Sequence, residues 1–297
     1  MKSENRALFF LPLLILSCSN PEVEKKETAS PIRFGTYIGT ASDETTNLLH
    51  IYSPWNSSQH LTVNFPEHCW GVNLPNVSHS STVKIPEPWS FNEDSTEAFF
   101  EHIPRQGVLF RAEARAESMG VRLSIKITNN SDTPISDIRV LVCVRPDQMT
   151  AFRDTEYART YVAVEGKPLK LGIETHYSGA LPERLPPCWA LNVKGGPDNL
   201  TFQDLGWFRD GPGRIVQERA YPPLTAIQSR EDPDRWIATI WNPARLLFAN
   251  PFIPCFHSDP LVPDCPHGET TRTEGLIIFH EGTYASLLER ARRELGL

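Results

Sequence analysis

Val108–Asn129 reads VLFRAEARAESMGVRLSIKITN, and its period of two decides the fold. Val108, Phe110, Ala112, Ala114 and Ala116 alternate with Leu109, Arg111, Glu113, Arg115 and Glu117. Met119-Gly120 turns the chain, and Val121, Leu123, Ile125 and Ile127 then alternate with Arg122, Ser124, Lys126 and Thr128. Successive side chains of a strand point to opposite faces, so this is a long hairpin with one buried and one wet face. Asn129-Asn-Ser-Asp-Thr-Pro134 is a dense turn cluster. Ile135 to Val144 follows as a third strand in meander order. Its unbroken apolar end predicts a central strand covered on both sides.

Further strands are expected at Phe34–Ile38, Leu48–Ser53, Leu61–Phe65, Arg159–Val164, Leu224–Gln228, Trp236–Trp241, Leu246–Asn250 and Thr271–Phe279, with turn signals between them. One helix is expected, over 283–295. Thr283 can cap it, and Tyr284, Leu287, Leu288, Ala291 and Leu295 recur at helical spacing. Arg290, Arg292 and Arg293 sit near its negative end, where cations are favoured. Many strands and one terminal helix imply an all-β protein: a large antiparallel β-sandwich with a short C-terminal helix.

The 297 residues carry a formal charge of −7, so no broad basic surface for nucleic acid is expected. The 26 prolines are scattered and mark turns and loop edges. No P-loop, G-x-G-x-x-G or G-x-S-x-G pattern occurs, so no nucleotide cofactor and no α/β-hydrolase elbow are indicated. No cofactor is expected.

The strand ending in the 129–134 turn, together with Pro266-His-Gly-Glu269 and the long strand after it, resembles the galactose-mutarotase-like supersandwich proteins. These are large antiparallel sandwiches found in aldose epimerases and sugar-processing enzymes. The resemblance implies a supersandwich body and a carbohydrate ligand. The family's catalytic His and Glu match no position here, so no catalytic residue is carried over. If the chain is an enzyme, the implied chemistry is acid/base work on a sugar, as in an epimerase, lyase or glycosidase.

The amino terminus resembles a bacterial lipoprotein signal peptide. Lys2 and Arg6 precede an apolar run, Ala7 to Leu16, and Ile15-Leu-Ser-Cys18 closes it. A secretory apolar core runs roughly 7–15 residues, whereas a membrane-spanning helix needs about 20. The resemblance implies a signal at 1–17, with Cys18 acylated and holding the protein to membrane lipid. Residues 18–32 are polar and read as a flexible tether, leaving 33–297 as one β-sandwich domain with its helix. The expected address is the cell envelope. Ser19 in place of Asp favours the outer membrane.

With Cys18 lipidated, Cys69, Cys143, Cys188, Cys255 and Cys265 remain, an odd number. Cys143 lies in an apolar run and reads as a buried free thiol. Cys255 and Cys265 are close enough to staple one loop and form a candidate disulfide, which sequence alone does not assign.

Three stretches can carry chemistry. Cys255–His267 holds two Cys, two His and two Asp within thirteen residues. Its spacing matches no zinc signature, so no metal is assigned. His257 and Asp259 instead read as ligand-facing groups of a polar loop. The second stretch contains Arg145, Asp147, Asp154 and Arg159, where carboxylates accept and arginine forks donate to sugar hydroxyls. The third runs from Trp189 to Arg214 and includes Trp207, with tryptophans that can stack on a ring. Glu174 and His176, two apart, offer an acid/base pair. The leading expectation is an envelope lipoprotein that binds or processes carbohydrate through loops at one end of a sandwich. The competing one is a non-catalytic envelope scaffold that binds a protein.

Overall fold

A computed structural model describes residues 32–41, 44–78, 88–171, 188–197, 213–250 and 253–297. Its strands begin with β1 (Phe34–Ala41), β2 (Glu44–Tyr52), β3 (His60–Val72), β4 (Leu74–Val77), β5 (Ser90–Phe91) and β6 (Glu97–Arg105). Next come β7 (Val108–Glu117), β8 (Gly120–Asn129), β9 (Ser136–Arg145), β10 (Thr160–Val164), β11 (Lys167–Lys170) and β12 (Cys188–Val193). The last are β13 (Gly213–Gln228), β14 (Arg235–Trp241), β15 (Ala244–Asn250), β16 (Cys255–Pro260) and β17 (Thr270–Glu281), followed by helix α1 (Tyr284–Leu295).

Hydrogen-bonded pairing runs through all of these strands and folds them into two layers. The first is β5-β6-β7-β8-β17-β14-β13-β10-β11. The second is β13-β12-β15-β16-β9-β3-β2-β1, with β4 beside β3. The 16-residue β13 belongs to both: its front half pairs with β12, its back half with β10 and β14. The β12–β13 pair is parallel and the other strand pairs are antiparallel among the described residues. Phe110, Ile125 and Ile127 from one layer join Val63, Val144 and Phe256 from the other in a shared apolar core. The all-β sandwich with one terminal helix is thus what the chain forms.

The hairpin is as the alternation predicts. Val108, Phe110, Ala112 and Ala114 are buried, and β8 pairs with β7 from Glu117↔Gly120 to Val108↔Asn129. The meander expectation for β9 is overturned. β8 takes β17 as its other neighbour, while β9 crosses to the second layer between β3 and β16. The turn cluster explains the crossing. Asn129 is wholly buried, and its side chain donates to Thr133 O and Cys265 O, both at 2.9 Å. Its Oδ1 accepts from Ser131 N and Oγ. Asn129 N donates to Glu269 O, and Gly268 N donates to Asn129 O. The two stretches that carry the family resemblance are therefore bonded to each other, and that contact steers the chain out of the hairpin's layer.

Helix α1 forms as expected. Thr283 Oγ1 accepts from Ser286 N at its start, and Gly296 ends it at φ 66°. Leu287, Leu288 and Ala291 pack on Trp236, Ala238 and Ile278, covering the outer face of the first layer.

Candidate functional site

Cys255–Pro260, expected as a polar loop, is a strand buried on both faces. Phe256 joins the shared core, so Cys255, His257 and Asp259 point away from it, to the outer face of the second layer. The register shows what shares that face. Thr62 pairs with Arg145, and Val144↔Phe256 puts Arg145 opposite Cys255 and Cys143 opposite His257. Asn250 pairs with Cys255 and Phe248 with His257. Trp189↔Ala249 puts Cys188 opposite Asn250. One row across five strands is therefore Thr62, Arg145, Cys255, Asn250 and Cys188. The next is Asn64, Cys143, His257, Phe248 and Ala190.

A bulge in β3 between Asn64 and His68 adds Glu67 to the group. Glu67 Oε2 lies 4.0 Å from His257 Nε2, and its side chain keeps 15% exposure. His257 Nδ1 lies 3.2 Å from Asp259 Oδ1, which also accepts from Val142 N at 2.8 Å. Cys255 Sγ lies 3.4 Å from His257 Nε2. The Phe248 ring stands edge-on to the imidazole at 5.0 Å. Exposure falls along β16 from 7% at Cys255 to 1% at His257 and 0% at Asp259. The group thus runs from a rim at Arg145 and Glu67 into a dry floor.

The electrostatics follow from burial. Desolvation raises the Glu67 carboxyl above its ordinary range, against the opposing pull of His257. Burial alone would lower His257; Asp259 and Cys143 outweigh it and raise the imidazole well above its usual value. A hydrogen bond with Cys255, and then burial, push the Cys143 thiol up. At Cys255 that bond pulls the other way, and burial with Glu67 still leaves the thiol raised. Burial thus opposes charge on Glu67 and on both thiols, beside a His257–Asp259 pair.

The sequence-derived candidates divide. Arg145, His257 and Asp259 come together on this face. Asp147 sits at its rim in an ion pair with Arg145. Asp154 and Arg159 hold their own loop instead. Asp154 accepts from Ala158 N, Arg159 N and Thr160 Oγ1, while Arg159 donates to Ala151 O, Gln228 O and Arg153 O. Trp189 is 1% exposed and faces the shared core, so it offers no stacking surface. Cys18, Trp207, Glu174 and His176 lie outside the described residues. The Cys255–Cys265 bridge is a correction: both are free thiols. β16 carries the chain away from Cys255 at about 3.3 Å per residue, and Cys265 ends at the Ile135 bridge by the 129–134 turn. Cys143 and Glu67 join the group without a sequence signal of their own. Cys143 reads from sequence only as an apolar strand residue, and nothing local marks Glu67.

A concavity of about 410 Å³ lies elsewhere, on the wet face of β6, β7, β8 and β17. Several of its charges pair with one another, as in Arg111 with Glu113 at 2.7 Å and Arg272 with Glu274 at 2.6 Å, and Arg111 also covers the Phe99 ring.

No family model matches the chain, and no curated protein matches it. Solved structures do. The chain is similar to the Slr1438 protein from Synechocystis sp. PCC 6803 at 10% identity, over 85% of this chain and 93% of that one, with a TM-score of 0.44. It is similar to a putative aldose 1-epimerase from Escherichia coli K12 at 12% identity, over 84% and 99%, with a TM-score of 0.41. It is also similar to a galactose mutarotase-like protein from Clostridium acetobutylicum at 8% identity, over 85% and 99%, with a TM-score of 0.41. The structures it is similar to are thus largely proteins named for carbohydrate chemistry.

Proposed function

We propose that the chain is a lipid-anchored envelope protein that binds a carbohydrate on the outer face of the second layer and transfers a proton there. One observation carries the reading. Glu67, a partly exposed carboxyl, stands 4.0 Å from an imidazole whose other nitrogen meets Asp259, on a face of polar side chains that also carries Arg145. A carboxyl at the rim of a dry polar floor can exchange a proton with a sugar hydroxyl. Arg145 and Asn250 supply donors for neighbouring hydroxyls. His257 and Asp259 hold the floor and set the charge that Glu67 meets.

The test is a thermal-shift screen of the purified chain against mono- and oligosaccharides, followed by polarimetry and product analysis on any that stabilise it. A stabilising sugar whose effect is lost in Arg145→Ala supports the reading. No stabilisation by any sugar at millimolar levels removes it. The anchor through Cys18 has its own test. Cys18→Ala moves the protein from the membrane fraction to the soluble one, and a variant that stays with the membrane ends the lipoprotein proposal.

A further inference from the structure

We propose that Cys143, Cys255 and His257 form a site for a thiophilic divalent cation, zinc foremost, with a fourth position that opens toward Glu67. Their ligand atoms, two Sγ and an imidazole nitrogen, all lie within 4.8 Å of one another, and all three residues are buried. Tetrahedral zinc with bonds of about 2.0–2.3 Å sets sulfur and nitrogen ligands roughly 3.6 Å apart. Cys255 Sγ and His257 Nε2 already stand 3.4 Å apart.

The surroundings are those of a ligand set. His257 Nδ1 lies against Asp259 Oδ1, which leaves Nε2 facing the sulfurs, and a ligating histidine is ordinarily oriented by such a carboxylate. Val142 N fixes Asp259 in turn. Two thiolates and an imidazole are the donors that select zinc over magnesium or calcium. Binding requires both thiols and His257 Nε2 to give up their protons to solvent; the two thiolates offset the cation's charge, and the neutral imidazole keeps its other N–H on Asp259. Three protein ligands with a fourth position free is the arrangement of reactive zinc rather than structural zinc. Glu67 Oε2, 4.0 Å from Nε2, borders that position. The ligands come from β9 and β16, more than a hundred residues apart in sequence, so no spacing motif announces them.

The metal site does not depend on the carbohydrate reading, and the two fail separately. The full chain, stripped with chelator under reductant, is titrated with Co²⁺ and Zn²⁺ alone. One equivalent of Co²⁺ with a thiolate-to-cobalt charge-transfer band and tetrahedral visible bands is expected. X-ray absorption of the zinc-loaded chain should find two sulfurs at about 2.3 Å. This measurement uses the unsubstituted protein, so it holds even if a variant fails to fold. Cys143→Ser and Cys255→Ser should weaken binding at least about tenfold, and Asp259→Asn about ten- to a hundredfold. Cys69→Ser, in the shared core, should leave binding unchanged. The proposal is overturned by less than a tenth of an equivalent bound, by a shell of oxygen and nitrogen only, or by a Cys143–Cys255 disulfide in the freshly purified chain. Sugar stabilisation measured with chelator present then reports on the carbohydrate reading by itself.

Discussion

The two layers turn their backs to very different surroundings. Behind the first, Trp236, Ala238 and Ile240 of β14 meet Leu287, Leu288 and Ala291 of the helix. Behind the second, the equivalent side of β16 carries Cys255, His257 and Asp259. Both strands are buried on both faces and both contribute to the same core inside. The difference lies in what the outward positions are asked to do. Apolar outward residues stabilise by leaving water. Polar ones in a dry place stabilise little unless each finds a partner, and Asp259 Oδ2 and Arg145 Nε find no hydrogen-bond partner among the described residues.

The comparison can be broken most directly at Glu67. Glu67→Gln keeps the shape and removes the exchangeable proton, so turnover should fall about 10²–10⁴-fold while sugar stabilisation in the thermal-shift assay persists. Turnover that survives would move the chemistry off this face. Leu287→Ala probes the other side. It empties a fully buried position under the helix and should lower stability by about 2–5 kcal/mol in urea denaturation, leaving sugar and metal binding intact. A loss of binding in that variant would show that the two backs are coupled.

The edge of the second layer adds a pH signature. His50 and His60 stack at 4.0 Å across β2 and β3. Burial, and then His60, lower the His50 pKa from 6.5 to about 4. The unfolded chain takes up that proton near pH 6.5 and the folded chain only near 4, so this contribution is complete above 6.5 and fades as pH falls toward 4. The urea midpoint should drop through that window, and His50→Asn should flatten the drop. An unchanged slope in the variant would place the acid sensitivity elsewhere. The smallest effect belongs to the helix start, where Thr283→Ala should cost about 1 kcal/mol with binding untouched.

Legibility from sequence followed the same division. The hairpin could be read because one face is wet, so Arg111, Glu113, Arg122 and Lys126 mark every other position. Alternation gives a strand's faces but not its neighbours, which is why β9 was expected beside β8 and sits between β3 and β16. His257 and Asp259 were legible because they lie two apart on one strand. Cys143 and Glu67 were not, because strand pairing over long separations brings them in. Asp154 and Arg159 misled for a different reason: a polar loop must satisfy its own backbone, and the residues that do so resemble ligands.

The amide of Asn129 fastens segments 136 residues apart in a chain whose five described cysteines are all free. In oxidising compartments a cross-link of that reach can be made by a disulfide. Here it is made of hydrogen bonds, which need no oxidant and no isomerase. The thiols of the outer face are thereby released from architectural duty, and the same fold can close in a reducing compartment as readily as in an oxidising one.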